Sequence, residues 1–88
     1  MRFEPGKTYT HRETLGPAME IEDPDEARTY FADLVSWMGT HGHTRDEATQ
    51  ITRSNLGYFA GYYSAETQAR VLRVFGIEHP FVEGAVRI

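Results

Sequence analysis

Residues 57–63 read GYFAGYY, two glycines four positions apart with Tyr58, Phe59, Tyr62 and Tyr63 crowded around Ala60. Glycine in a helix interior costs about 0.5–1 kcal/mol relative to alanine, so a pair at helical spacing inside the most aromatic stretch of the chain demands a reason. If the stretch belongs to one continuous helix, an advance of about 100° per residue puts Ala48, Ile51, Asn55, Tyr58, Phe59 and Tyr62 on one broad face, which is expected to be the core side. Gly57 and Gly61 then fall opposite, in line with Asp46, Gln50 and Arg53. They predict a shallow strip able to receive the N-terminal arm, a neighbouring helix or the backbone of a partner, because a missing Cβ lets chains come unusually near. Asn55, near the middle of the apolar face, is expected to be buried and to need hydrogen-bond partners. A structural tie is its expected role, with a ligand contact as the alternative.

The flanking signals place the remaining elements. Thr44-Arg45-Asp46-Glu47 is a capping-box pattern and opens this helix, expected over about 45–63. Ser64 caps a following helix over about 65–75, with Ala69, Leu72 and Phe75 inward, Val71 at the margin, Gly76 as a left-handed terminus and Ile77 making the contact that often follows one. Towards the N-terminus, Asp23-Pro24-Asp25-Glu26 starts a helix over about 24–40 that turns Ala27, Tyr30, Phe31, Leu34, Val35, Trp37 and Met38 to one side. Residues 1–22 lack helical periodicity and carry two turn signals, Pro5-Gly6 and Gly16-Pro17. They are expected to form either a short β-ribbon, with Tyr9 inward on one strand and Met19 and Ile21 on the other, or an extended arm pinned by Phe3, Tyr9, Leu15 and Ile21. The tail, 77–88, is expected to be irregular, with Pro80 barring a helix. The expected fold is mainly α: a single compact three-helix domain with an N-terminal extended arm or short ribbon.

Composition narrows the function classes. Eighty-eight residues at 40% hydrophobic and 25% charged suit one globular domain with a thin core. The absence of cysteine removes disulfides, thiolate nucleophiles and cysteine-ligated zinc. No apolar run is long enough to span a bilayer, and MRFEPGKTYT lacks the apolar core of a secretory signal, so a cytoplasmic location and no membrane partner are expected. A net charge of −4 opposes nonspecific attraction to phosphate backbones, and nucleic acid is not expected as a partner. A helix-turn-helix reading of the last two helices fails on charge, since the final helix offers only Arg70 and Arg73 outward beside Glu66, which stands at the right spacing to pair with Arg70.

Candidate chemistry is sparse. His41-Gly42-His43 is the constellation closest to a metal site, with His11, His79, Asp46 or Glu47 as a third ligand, but two histidines in an interhelix loop are equally explained as polar loop residues. No metal or other cofactor is therefore expected. Ser36, Ser54 and Ser64 lack any nucleophile context, and the acids cluster at helix starts, where capping explains them. The eight aromatic residues that fall within the three expected helices cannot all be buried in so small a domain. Tyr63, beside the Ser64 turn, is the one expected to reach the surface, either as a rim tyrosine with its ring half covered or as an interface anchor.

The block Gly57 to Tyr63, then Glu66, Thr67, Arg70 and Val71, then His79 to Phe81, resembles the C-terminal part of small uncharacterised proteins of bacteria and their phages. The likeness covers roughly residues 54–84 and implies a mobile-element accessory protein, without assigning any site. The expected function is non-catalytic binding of another protein, by occlusion of a basic surface on a host protein such as a defence nuclease. The expected partner-binding residues are Gly57, Gly61, Tyr63, Arg53, Arg70 and Arg73. Two alternatives stay open: a metal- or histidine-dependent enzyme built on His41, His43 and His79, and a structural subunit of a homo-oligomer.

Overall fold

The computed structural model describes residues 2–78; the expectations for His79, Pro80 and the rest of the tail lie outside the described residues. A short helix α1 (His11–Leu15) and a 3-10 turn (Pro17–Glu20) precede α2 (Pro24–Gly39), α3 (Arg45–Gly61) and α4 (Ala65–Phe75). The mainly helical class holds, and the three long helices start where their caps place them. No strand occurs among the described residues, so the ribbon does not form.

Local chemistry accounts for every helix start. Thr44 and Glu47 exchange hydrogen bonds as a capping box, Glu47 N–H donating to Thr44 Oγ1 at 3.1 Å and Thr44 N–H to Glu47 Oε1 at 2.9 Å. Ser64 accepts from Thr67 N–H, and Asp23 from Asp25 N–H. The missed element, α1, carries the same signature: Thr10 and Glu13 form a second capping box, and Gly16-Pro17 ends the helix and starts the 3-10 turn. A five-residue helix has no room to display an apolar period, which is why only its cap was there to read. At the other end, Gly76 takes the left-handed conformation at φ 68°, its successor Ile77 donates to Leu72 O at 2.8 Å, and the Ile77 side chain is buried. Pro5-Gly6 makes a tight turn closed by Lys7 N–H on Glu4 O, with Gly6 at φ 77°.

The N-terminal segment is part of the core and not a strap over a finished bundle. Phe3, Leu15, Ala18, Met19 and Ile21 are buried in one cluster with Ala27, Tyr30 and Leu34 of α2, Leu56 and Ala60 of α3, and Val71, Val74 and Ile77. At about 1.5–3 kcal/mol for each large apolar side chain removed from water, this segment supplies a substantial part of the folding free energy. Its polar ties are equally specific. Tyr30 Oη, itself buried, donates to Thr14 O at 2.7 Å. Trp37 Nε1–H donates to Lys7 O at 2.7 Å, and Gly6 N–H to Thr40 Oγ1 at 2.9 Å.

The faces of two helices differ from expectation. On α3 the buried residues are Ala48, Thr52, Leu56, Gly57 and Ala60, a face rotated by roughly 100° from the one marked by the aromatic rings. Tyr58 and Tyr62, expected inward, are 40% and 87% exposed, and Asn55, expected buried, is half-buried at the margin. On α4 the buried residues are Val71 and Val74, with Leu72 and Phe75 half-buried and Ala69 exposed. The reason is packing distance. α3 touches both α2 and α4, and small residues along its length let both neighbours approach, whereas a row of rings would hold them apart.

The glycine strip therefore has an occupant within the chain. α4 turns back along α3, and Gln68 Nε2 donates to Gly57 O at 2.9 Å. A Cβ placed on Gly61 would stand 2.9 Å from the same Nε2. Gly57 is buried beneath this contact, so Gly57→Leu is expected to lose about 1–3 kcal/mol of stability by overpacking. Gly61→Ala, which meets only the mobile end of Gln68, should stay within about 1 kcal/mol of the parent, because gained helix propensity offsets the disturbed hydrogen bond. Urea denaturation of the two variants measures the difference.

The two capping boxes set a pH response. Hydrogen bonds from the backbone and side chain of Thr10 hold the Glu13 carboxyl below the usual glutamate range, and those of Thr44 do the same for Glu47. A carboxyl whose pKa is lowered by folding contributes stability above its unfolded pKa and loses it as pH falls through the folded one. Glu13→Gln with Glu47→Gln is thus expected to lower Tm at about pH 7 and to flatten its decline towards about pH 3, read by thermal scans across that range.

Candidate functional site

α2, the N-terminal half of α3 and the C-terminal end of α4 enclose an open cleft of about 780 Å³. Four arginines line it: Arg28 from α2, Arg45 and Arg53 from α3, and Arg73 from α4. Phe31, Val35 and Phe75 supply apolar lining, and no carboxylate is among the described residues around it. Arg28 pairs with Asp25 at 2.8 Å on the surface, while no described acid pairs with Arg45, Arg53 or Arg73. In a chain of net charge −4, acids lie at the helix starts and this cleft carries the opposite sign.

The spacing on α3 explains how cleft and glycine strip relate. Arg45, Thr49 and Arg53 follow one another at intervals of four, and the same row continues to Gly57 and Gly61. Where the row is glycine, Gln68 and α4 close upon it; where it is arginine, the helices leave room and the guanidinium groups line the opening. Arg73 in the last turn of α4 also faces a helix C-terminus, where positive charge is favoured.

The structure divides the expected partner-binding set. Arg53 and Arg73 meet in the cleft, and Gly57 and Gly61 lie against Gln68. Arg70 does not pair with Glu66; its Nη2 donates to Met19 O, and its Nε is buried without a described partner. It ties α4 to the 3-10 turn. Tyr63 is 55% exposed on the lip beyond α3, its ring tilted against Phe59 at 5.5 Å. Arg28 and Arg45 also line the cleft but are not in the expected set, Arg45 being read from sequence only as part of a cap. A signal was present in the four-residue row and in the near absence of lysine, since a planar guanidinium fork is suited to carboxylate recognition.

His41 and His43 do not form a metal centre with described residues. His41 Nε2 donates to Lys7 O at 3.0 Å with its ring edge-on to Trp37 at 5.0 Å. His43 Nδ1 stands 4.0 Å from Glu47 Oε1, and no three His, Asp or Glu side chains converge for a metal among the described residues. No helix among them is long and apolar enough to cross a membrane. Comparison with protein-family models, curated proteins and solved structures finds no match.

Arg70→Ala is expected to cost about 1.5–3 kcal/mol through loss of a charge-assisted hydrogen bond, whereas Arg53→Ala and Arg73→Ala should each change stability by less than about 1 kcal/mol. Chemical denaturation of the three variants checks that the cleft arginines are dispensable for folding.

Proposed function

We propose that the chain is a non-catalytic binding domain that takes an acidic segment of another protein into the α2–α3–α4 cleft. The observation that carries this reading is the arginine lining without a described carboxylate, in an otherwise acidic chain. From sequence, a basic host surface is the expected partner, but at contact distance the local sign decides, and the lining of this cleft is positive. Guanidinium groups grip carboxylates bidentately, and Phe31, Val35 and Phe75 offer a seat for an apolar side chain between the acids. A long phosphate backbone fits less well, because it would run beyond the cleft onto the acid-bearing helix starts. The resemblance to small phage and bacterial proteins supports an accessory role in which the domain occludes the surface it holds. The engagement of His41 in holding the N-terminal segment supports a structural, non-catalytic use of that side chain.

The test is binding of a labelled 12-residue peptide of Glu and Asp around a central Phe, compared with a lysine counterpart and single-stranded DNA of similar length. Arg53→Glu with Arg73→Glu is expected to weaken the acidic peptide at least tenfold, and added salt should weaken the parent complex. Equal binding of all three probes, or indifference to the charge reversal, would overturn the reading. A second reading, a homo-oligomer, is favoured by the exposed rings of Tyr62 and Tyr63 at one end of α3, and sedimentation at two concentrations decides it.

A further inference from the structure

A second pocket, of about 350 Å³, lies between the N-terminal segment, α2 and α3 and shares no lining residue with the arginine cleft. It gathers motifs that the binding function leaves unused: His41 and His43, His11, and Asn55. Leu15, Leu34, Met38 and Ile51 make it apolar, and Tyr9, Trp37 and His41 form an aromatic wall with rings edge to face at 5.6 and 5.0 Å.

Most of the polar atoms on that wall are already engaged. Tyr9 Oη accepts from Glu4 N–H at 2.9 Å, and Trp37 Nε1–H and His41 Nε2–H both donate to Lys7 O. The hydroxyl of Thr52 is directed at Met38 Sδ. These bonds hold the rings in place before any ligand arrives, which lowers the ordering cost of binding. The Asn55 amide and the His11 imidazole, by contrast, make no described hydrogen bond, and both have N–H groups to offer. No carboxylate, lysine or arginine lines the pocket among the described residues. A largely apolar, half-open pocket with a few convergent donors is a common form of a small-molecule site. Its volume exceeds the roughly 150 Å³ of a cavity that holds one benzene ring, leaving space for a ring and a polar head.

We propose that this pocket binds a small aromatic molecule bearing a carbonyl or carboxylate oxygen at one end. The ring lies against Tyr9, Trp37 and His41, and the oxygen accepts from the Asn55 amide. The site is independent of the acidic-segment cleft.

Trp37 is the single tryptophan, so its indole N–H gives one resolved signal in ¹⁵N–¹H spectra of the full chain. Benzamide, benzoate and toluene are the probes. Saturable shifts of the Trp37 indole and Asn55 side-chain signals with benzamide, benzoate or both are expected; the preferred probe distinguishes a neutral carbonyl from a carboxylate. Toluene, lacking the oxygen, should bind at least about tenfold more weakly, as should the preferred probe to Asn55→Leu. Asn55→Ser serves if the leucine variant fails to fold, and Arg53→Glu with Arg73→Glu should leave the titration unchanged. No saturable Trp37 shift with either oxygen-bearing probe, or equal binding of toluene, or undiminished binding after replacement of Asn55, would overturn the proposal.

Discussion

Helix α3 buries nothing larger than leucine, and that limit on bulk governs the domain. Ala48, Thr52, Leu56, Gly57 and Ala60 face the interior, so α2 and α4 can both lie close to one central helix. Interiors are packed to near-crystalline density, and a chain this short cannot accommodate rings in that space without opening voids elsewhere. The rings go outward as a consequence. Tyr62 and Tyr63 end up on the surface, while Phe59 covers the edge of the core. The same row of α3 that is bare at Gly57 and Gly61 bears guanidinium groups at Arg45 and Arg53, so closure at one end of the helix and an open cleft at the other follow from a single stripe of sequence.

The N-terminal segment completes the structure from the other side. Phe3 sits edge-on to Tyr9 and Tyr30 at ring distances of 5.4 and 5.8 Å, and Arg2 lies over the Tyr30 ring while pairing with Asp33. Burial pushes the Tyr30 hydroxyl above the usual tyrosine range, with Arg2 acting against the shift and Asp33 adding to it. The neutral phenol is thus the form that the fold favours. Its contribution is complete below the ordinary tyrosine pKa and declines as pH rises through the raised one. With the Lys7 carbonyl accepting from both Trp37 and His41, the segment is held by directional bonds as well as by burial.

Charge is segregated on this frame. Acids occupy the first turns of the long helices, where unpaired backbone N–H groups favour them, and arginines collect where α2, α3 and α4 diverge. Arg70 is the exception that separates structure from recognition, since its guanidinium is consumed by the Met19 carbonyl. Among the described residues, a cationic cavity between the long helices and an aromatic one beneath the N-terminal segment differ in character as a result.

The amino-acid sequence by itself determined the helix boundaries. Thr44 with Glu47, Asp23 with Pro24, Ser64, and Gly76 with Ile77 act within about one helical turn of themselves, so each can be read without knowing what lies across from it. Thr10 with Glu13 was legible by the same rule, and only the shortness of α1 hid it. The pins Phe3, Leu15 and Ile21 were also visible, as isolated apolar residues in a polar stretch. Only the tertiary structure decided which way α3 and α4 face. Hydrophobicity weights a tyrosine or phenylalanine above alanine and glycine, but the neighbour across a helix contact selects for smallness, and that neighbour does not appear in the local sequence. The candidate site followed the same division, because Arg28, Arg45, Arg53 and Arg73 come from three helices, and their meeting in one cleft depends on how those helices pack.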